Sequence, residues 1–204
     1  MKTPENILIN YLERKQSKVI SKKNLRKLIQ DVAHSESAIT HLRNTGWLQY
    51  ILNGYYYICD SEEQRTGFTQ YTVAEMIFVV LNKLKIKWYL GLETALETNN
   101  VVWQGHSKIV IINEKISRER TIQGTKVEFR KMSSKRFLFG IKRFKTKNRI
   151  TGYSSDPEKT LADFFYYEKK PPIELLDKQD KDILLGYLKK YPPLTRRHAK
   201  RWLQ

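Results

Sequence analysis

Between Lys115 and Arg149 the chain carries thirteen Lys/Arg against two acidic side chains, Glu119 and Glu128, a net of +11. Phe129, Phe137, Phe139 and Phe144 are threaded between these cations. In alternating strands one face packs the rings and the other presents the charges, which makes a folded surface suited to a phosphate backbone. The candidate backbone contacts are Lys131, Lys135, Arg136, Lys142, Arg143, Lys145, Lys147 and Arg149. A second basic run, Arg196-Arg197-His198-Ala199-Lys200-Arg201, lies further on. The same cations and rings also suit structured RNA, which is recognised by shape and backbone.

Few residues offer chemistry other than binding. His34, His41, His106 and His198 have no metal-ligand spacing, and Cys59 stands alone, so neither an internal disulfide nor a cysteine-rich zinc site can form. There is no phosphate-cradling glycine loop and no nucleophile motif. One carboxylate set has to be weighed: Glu128, with Arg130 on the same strand, together with Asp156 and Glu158. A metal-dependent nuclease needs clustered carboxylates around a divalent ion. Such centres want a carboxylate-x-Lys on one strand, however, and Asp156-Pro157-Glu158 reads better as a helix start. The expectation is a non-enzymatic chain with no metal and no cofactor.

The whole chain of 204 residues has a formal net charge of +17. Self-repulsion of that size points to a polyanionic partner, nucleic acid or an acidic membrane surface. The longest apolar run, Met76 to Leu81, is far too short to span a bilayer. The opening MKTPENILINYLERKQ is amphipathic with charges throughout, unlike a signal peptide. The expected setting is cytoplasmic, with no membrane partner.

The elements that must position these residues begin with three predicted helices. Ile7, Leu8, Tyr11 and Leu12 have helical spacing between Pro4 and Gln16, and Val19-Ile20 reads as a short extended link. Ser21 is a natural N-cap for a second helix carrying Leu25, Leu28 and Ile29. After a tight turn at Asp31 to His34, Ser35 can cap a third helix that buries Ala38, Ile39 and Leu42 and stops at Gly46. Trp47 to Ile51 and Tyr55 to Ile58 are β-rich runs about Leu52-Asn53-Gly54, and Asn-Gly is a strong hairpin signal. Helix, helix, turn, helix, hairpin is the order of a winged helix-turn-helix domain. The third helix leaves Ser35, Glu36, Ser37, Thr40, His41 and Arg43 off its apolar stripe, where short polar side chains can approach base edges. The candidate DNA contacts are Ser35, Ser37, Thr40, His41 and Arg43, with Lys22, Lys23 and the hairpin residue Asn53.

Residues 61–71 are polar and uneven and read as a linker. Beyond them come predicted helices at Thr72 to Leu84 and Gly91 to Asn99. Strands are predicted at Lys108 to Asn113, around a hairpin at Gln123-Gly124, at Lys126 to Lys131, and from Phe137 to Ile150. An Asp156-capped helix carries Leu161, Phe164 and Phe165 inward, and two short helices follow near 178–191 and 194–203. The predicted class is α+β: a winged helix-turn-helix over 1–60, a linker, and a basic mixed α/β domain with an antiparallel sheet over 72–204.

The segments GWLQYILNGYYYI, WYLGLETAL, GTKVEFRKMSSKRFLFG and YSSDPEKTLADFFYY together resemble the AbiEi antitoxin family of type IV toxin–antitoxin systems. The resemblance covers nearly the whole chain, and DPEKTLADFF after the basic strands is its most specific part. It implies a bifunctional protein. The N-terminal domain would bind inverted repeats in double-stranded DNA upstream of its own operon and repress it. The C-terminal domain would counteract a nucleotidyltransferase toxin and contribute to DNA binding.

Overall fold

Apolar residues at helical spacing and a hairpin signal build the first part of the chain as expected, and polar contacts extend it further than expected. The computed structural model describes residues 3–14, 17–29, 35–101, 108–136, 139–177 and 179–203. The turn expected at 31–34, and with it His34, lies outside them, as do His106 and Phe137. The chain divides into two units, Met1–Lys83 and Leu84–Gln204. In class it is mixed α and β.

The N-terminal unit runs α1 (Pro4–Arg14), β1 (Val19–Ser21), α2 (Lys22–Leu28), α3 (Ser35–Asn44), β2 (Leu48–Leu52), β3 (Tyr55–Ile58), α4 (Ser61–Thr66) and α5 (Val73–Lys83). Leu8, Leu25, Ile29, Ala38, Ile39 and Leu42 bring the first three helices together over Ile20, Leu48, Tyr56 and Ile58. Ser21 caps α2 by accepting from the Asn24 amide at 3.2 Å. The hairpin closes where Asn53 (φ 48°) and Gly54 (φ 73°) both take the left-handed region, which the primed turn needs and Gly54 supplies without strain. Val19-Ile20 is more than a link. It pairs antiparallel with β3, Val19 opposite Tyr57 and Ile20 opposite Tyr56, giving a three-stranded sheet in the order β1-β3-β2.

The stretch 61–71 is not a linker. Asp60 and Glu63 cap α4 reciprocally, and Gly67 ends it in the left-handed region. Glu63, only 7% exposed, accepts from the Tyr57 hydroxyl, the Asp60 amide at 2.9 Å and the Gln70 amide at 2.5 Å. The Lys18 ammonium lies 2.7 Å from Glu63 and 2.5 Å from Asp60. Hydrogen bonds to one carboxylate dock this segment, so its scarcity of apolar residues misleads. α5 then packs on β1 and β2, and the unit ends at Lys83. Glu63→Ala is expected to cost about 1–3 kcal/mol in chemical denaturation, because the Tyr57 hydroxyl and the Gln70 amide lose their acceptor and Lys18 keeps only Asp60. It should also open 61–71 to a protease that spares the parent protein there. A change within 0.5 kcal/mol would mean that the segment is held some other way.

The C-terminal unit contains β4 (Trp88–Leu90), α6 (Leu92–Thr98), β5 (Lys108–Asn113), β6 (Arg118–Ile122), β7 (Thr125–Lys131), a 3-10 turn (Ser134–Arg136), β8 (Ile141–Lys145), β9 (Thr151–Ser155), α7 (Pro157–Tyr166), α8 (Ile173–Asp177), α9 (Lys181–Leu188) and α10 (Pro193–Lys200). The strands form one sheet in the order β6-β7-β5-β4-β9-β8. The expected antiparallel sheet is in fact mixed, since β5 runs parallel to β7 and β4 parallel to β9. Asn113 is one cause. Fully buried, it accepts from the amides of Lys115 and Ile116 and donates to the Ile116 carbonyl, turning the chain out of β5. β6 can then run at the edge and return as β7, which slots between β6 and β5. α7 packs against α6, α9 and α10, and Leu161, Phe164 and Phe165 meet Tyr89, Val110 and Ile112 of the sheet. Among the described residues no helix is long and apolar enough to cross a membrane.

Candidate nucleic-acid interface

On α3 the apolar stripe of Ala38, Ile39 and Leu42 faces the core, while Glu36, Ser37, Thr40, His41, Arg43 and Asn44 are exposed. Ser35 is half-buried in the first turn. The Thr40 hydroxyl donates to the Glu36 carbonyl at 2.9 Å, so towards a ligand it is left as an acceptor. Two carboxylates are engaged here, Glu5 from α1 and Glu36 within the stripe itself. Glu5 of α1 lies 2.7 Å from His41 Nε2. Glu36 takes Lys22 at 3.0 Å and Arg26 at 2.5 Å from α2. Both carboxyls sit below their ordinary range, Glu36 through its bonds to Lys22 and Arg26, Glu5 through a backbone bond and then His41. Arg43 makes no ion pair among the described residues.

The Lys22 amide donates to the Gly54 carbonyl at 2.7 Å, which ties the hairpin tip to the start of α2. Lys22, exposed Lys23, Asn53 and the stripe of α3 are thereby gathered in one unit. Sequence reading missed Arg26, Asn44 and the part played by Glu36. Lys22 and Arg26 stand one helical turn apart, and that spacing was the available signal. Because Glu36 already neutralises both, Glu36→Gln is expected to steepen the salt dependence of duplex binding by about one to two units of slope. A slope that stays put would mean that neither cation reaches a phosphate.

The cations of 115–149 are divided between two parts of the sheet. β6 forms one edge of the six-stranded sheet with β7 beside it, and β8 forms the other edge, four interstrand spacings from β7 and five from β6, which is about 19 and 24 Å. Lys131 and Lys135 are exposed near the end of β7. The Arg136 guanidinium is stacked 4.9 Å over Tyr166, and Arg130 lies 4.9 Å over Tyr167. On β8, Lys142 and Arg143 are exposed and alternate onto opposite faces. Lys145 is engaged locally, donating to Thr151 Oγ1 at 2.7 Å and to the Arg149 carbonyl at 3.3 Å. Lys147 and Arg149 are exposed in the turn that follows. A single duplex backbone cannot touch both faces of β8. Lys142→Gln with Arg143→Gln should therefore flatten the salt slope by about one unit and not two. No change at all would remove this edge from the DNA surface.

The carboxylates weighed for catalysis are occupied in other ways. Glu128 is paired with Lys108 at 2.5 Å and with Arg130, which together outweigh burial and hold it below its ordinary range. Asp156 caps α7, accepting from the Lys159 amide at 2.7 Å and the Tyr187 hydroxyl at 3.0 Å. Glu158 accepts from the Asp180 amide at 3.0 Å. Cys59 is buried, which pushes its thiol up to about 12, Glu63 adding to the effect.

DPEKTLADFF turns out to be a core element. Lys159 is fully buried, its Nζ 2.8 Å from Asp163, 2.6 Å from the Tyr191 hydroxyl and 3.0 Å from the Tyr89 hydroxyl. Tyr89 and Tyr191 also donate to Asp163. Burial pulls the Lys159 pKa down. Gly140 (φ 64°) passes so close that a Cβ there would lie 2.6 Å from Lys159 Cβ, so no larger residue fits.

No family model and no curated protein matches the chain. Among solved structures, the crystal structure of the RV2827C protein from Mycobacterium tuberculosis is similar, with a TM-score of 0.62 at 14% identity. The similarity covers 98% of this chain and 76% of that one. At that identity the likeness is one of fold.

Proposed function

We propose that the protein is a sequence-specific DNA-binding transcriptional autorepressor that also acts as a type IV antitoxin against a nucleotidyltransferase toxin. The N-terminal unit supports a winged helix-turn-helix reading through its order α1-β1-α2-α3-β2-β3 and its sheet β1-β3-β2. One observation carries the DNA reading. The exposed polar stripe of α3 lies in the same unit as Lys22, Lys23 and the tethered Asn53-Gly54 tip, so base-reading and backbone-contacting groups come together. The antitoxin part rests on the resemblance to AbiEi antitoxins. In this reading the chain is cytoplasmic and non-catalytic and needs no cofactor.

Two readouts in cells separate the two activities. The chain should repress a reporter driven by its own upstream region and should rescue growth when the cognate toxin is induced. Ser37→Ala, Thr40→Ala and Arg43→Ala together should abolish repression and leave rescue intact when expression comes from an unrelated promoter. Repression that survives the triple change would remove α3 as the reading element. Failure of the parent chain to rescue would leave a regulator only.

A further inference from the structure

Around the C-terminal end of α7 the second unit gathers rings and cations from three distant stretches of sequence. Tyr166 and Tyr167 carry Arg136 and Arg130 on their faces. Next along the chain, an open groove of about 320 Å³ lies between the turn after α7 and the end of α10. Its walls are Glu168, Lys169, Lys170, His198, Arg201 and Trp202, over the buried ring of Phe165. Trp202 is 41% exposed, yet it is held in place, because the amides of Trp202 and Leu203 both donate to the Ala199 carbonyl and Leu203 packs on the core.

Helix ends explain part of this composition. α7 and α10 both finish here, and their terminal carbonyls favour cations. That does not account for an exposed indole beside a groove. Lys169 is committed to Glu93 at 2.6 Å, whereas Lys170 and Arg201 are exposed and make no ion pair among the described residues. Glu168, its side chain 63% exposed, lies 4.0 Å from His198. A carboxylate in the wall repels phosphate and accepts from an amine. Its place therefore favours a base in the groove and phosphates at the rim. The volume is at the lower end for a small-molecule site and suits one nucleotide.

We propose that this groove binds an unpaired nucleotide of a nucleic-acid strand. The base stacks on Trp202, the phosphates meet Lys170 and Arg201, and Glu168 accepts from an exocyclic amine. This does not depend on duplex recognition by α3, which lies in the other unit.

The test titrates the full chain into fluorescein-labelled octa-adenylate RNA, with octa-uridylate, AMP and a random DNA duplex as comparisons. Trp202→Leu is expected to weaken octa-adenylate binding by roughly 5- to 150-fold, the range of one lost base–aromatic stack. Trp202→Phe should keep most of the affinity. Lys170→Gln with Arg201→Gln should weaken binding and flatten its salt dependence without touching the ring, so the proposal does not hang on one variant that disturbs packing. Octa-uridylate, which has no exocyclic amine, should bind more weakly, and duplex binding should be unmoved by Trp202→Leu. Equal affinity for octa-adenylate in parent and Trp202→Leu would overturn the proposal, as would parallel loss of duplex binding. AMP binding as tightly as the strand would overturn it in favour of a free nucleotide.

Discussion

Lys159→Met is expected to destabilise the C-terminal unit by about 3–5 kcal/mol, because it leaves the Asp163 carboxylate buried without its counter-charge. Lys159 and Asp163 are each fully buried, and the hydroxyls of Tyr89 and Tyr191 bind both. These four side chains come from β4, α7 and the segment after α9, so the loss should be cooperative across the unit. Removing both charges, as Lys159→Met with Asp163→Leu, should restore most of it, since breaking a buried pair costs far more than replacing it. Denaturant melts of both variants check this. A single variant within 1 kcal/mol of the parent would mean that solvent reaches the pair.

That cluster marks where reading a sequence runs out. Lysine reads as a surface residue, and nothing near Lys159 in sequence announces Tyr89 or Tyr191 as partners. Local signals did transfer. Ser21 caps α2, Asn53-Gly54 closes the hairpin, Gln123-Gly124 turns β6 into β7, and Asp156 with Pro157 starts α7, each through chemistry within a few residues. Non-local order did not. The cations of 115–149 looked continuous because they are continuous in sequence, but β7 inserts between β6 and β5 while β8 pairs with β9 at the opposite edge. Residues 61–71 looked like a linker because docking was sought in apolar side chains, and Glu63 docks them through hydrogen bonds. On α3 the exposed set apart from half-buried Ser35 was legible from periodicity, whereas the approach of Glu5 to His41 and the pairing of Glu36 with Lys22 and Arg26 are visible only in three dimensions.

Arg43→Ala is expected to weaken binding to the upstream DNA by about 1–3 kcal/mol and to leave random duplex nearly unchanged. Arg43 is the exposed cation of α3 that makes no ion pair among the described residues, so its guanidinium is available to a guanine edge. Thr40→Ala should do less, because the Thr40 hydroxyl proton is already given to the Glu36 carbonyl. Anisotropy titrations at one fixed salt concentration distinguish the outcomes. Equal losses on both DNAs would make Arg43 a phosphate contact.

The most direct test of the central claim compares the affinity of the purified chain for its own upstream duplex, a random duplex of equal length and tRNA. At about 0.15 M salt a sequence-reading regulator should prefer the upstream duplex by at least ~10³-fold over random DNA. It should also bind that duplex more tightly than tRNA. Equal affinity for both duplexes, or tighter binding to tRNA, would contradict the account.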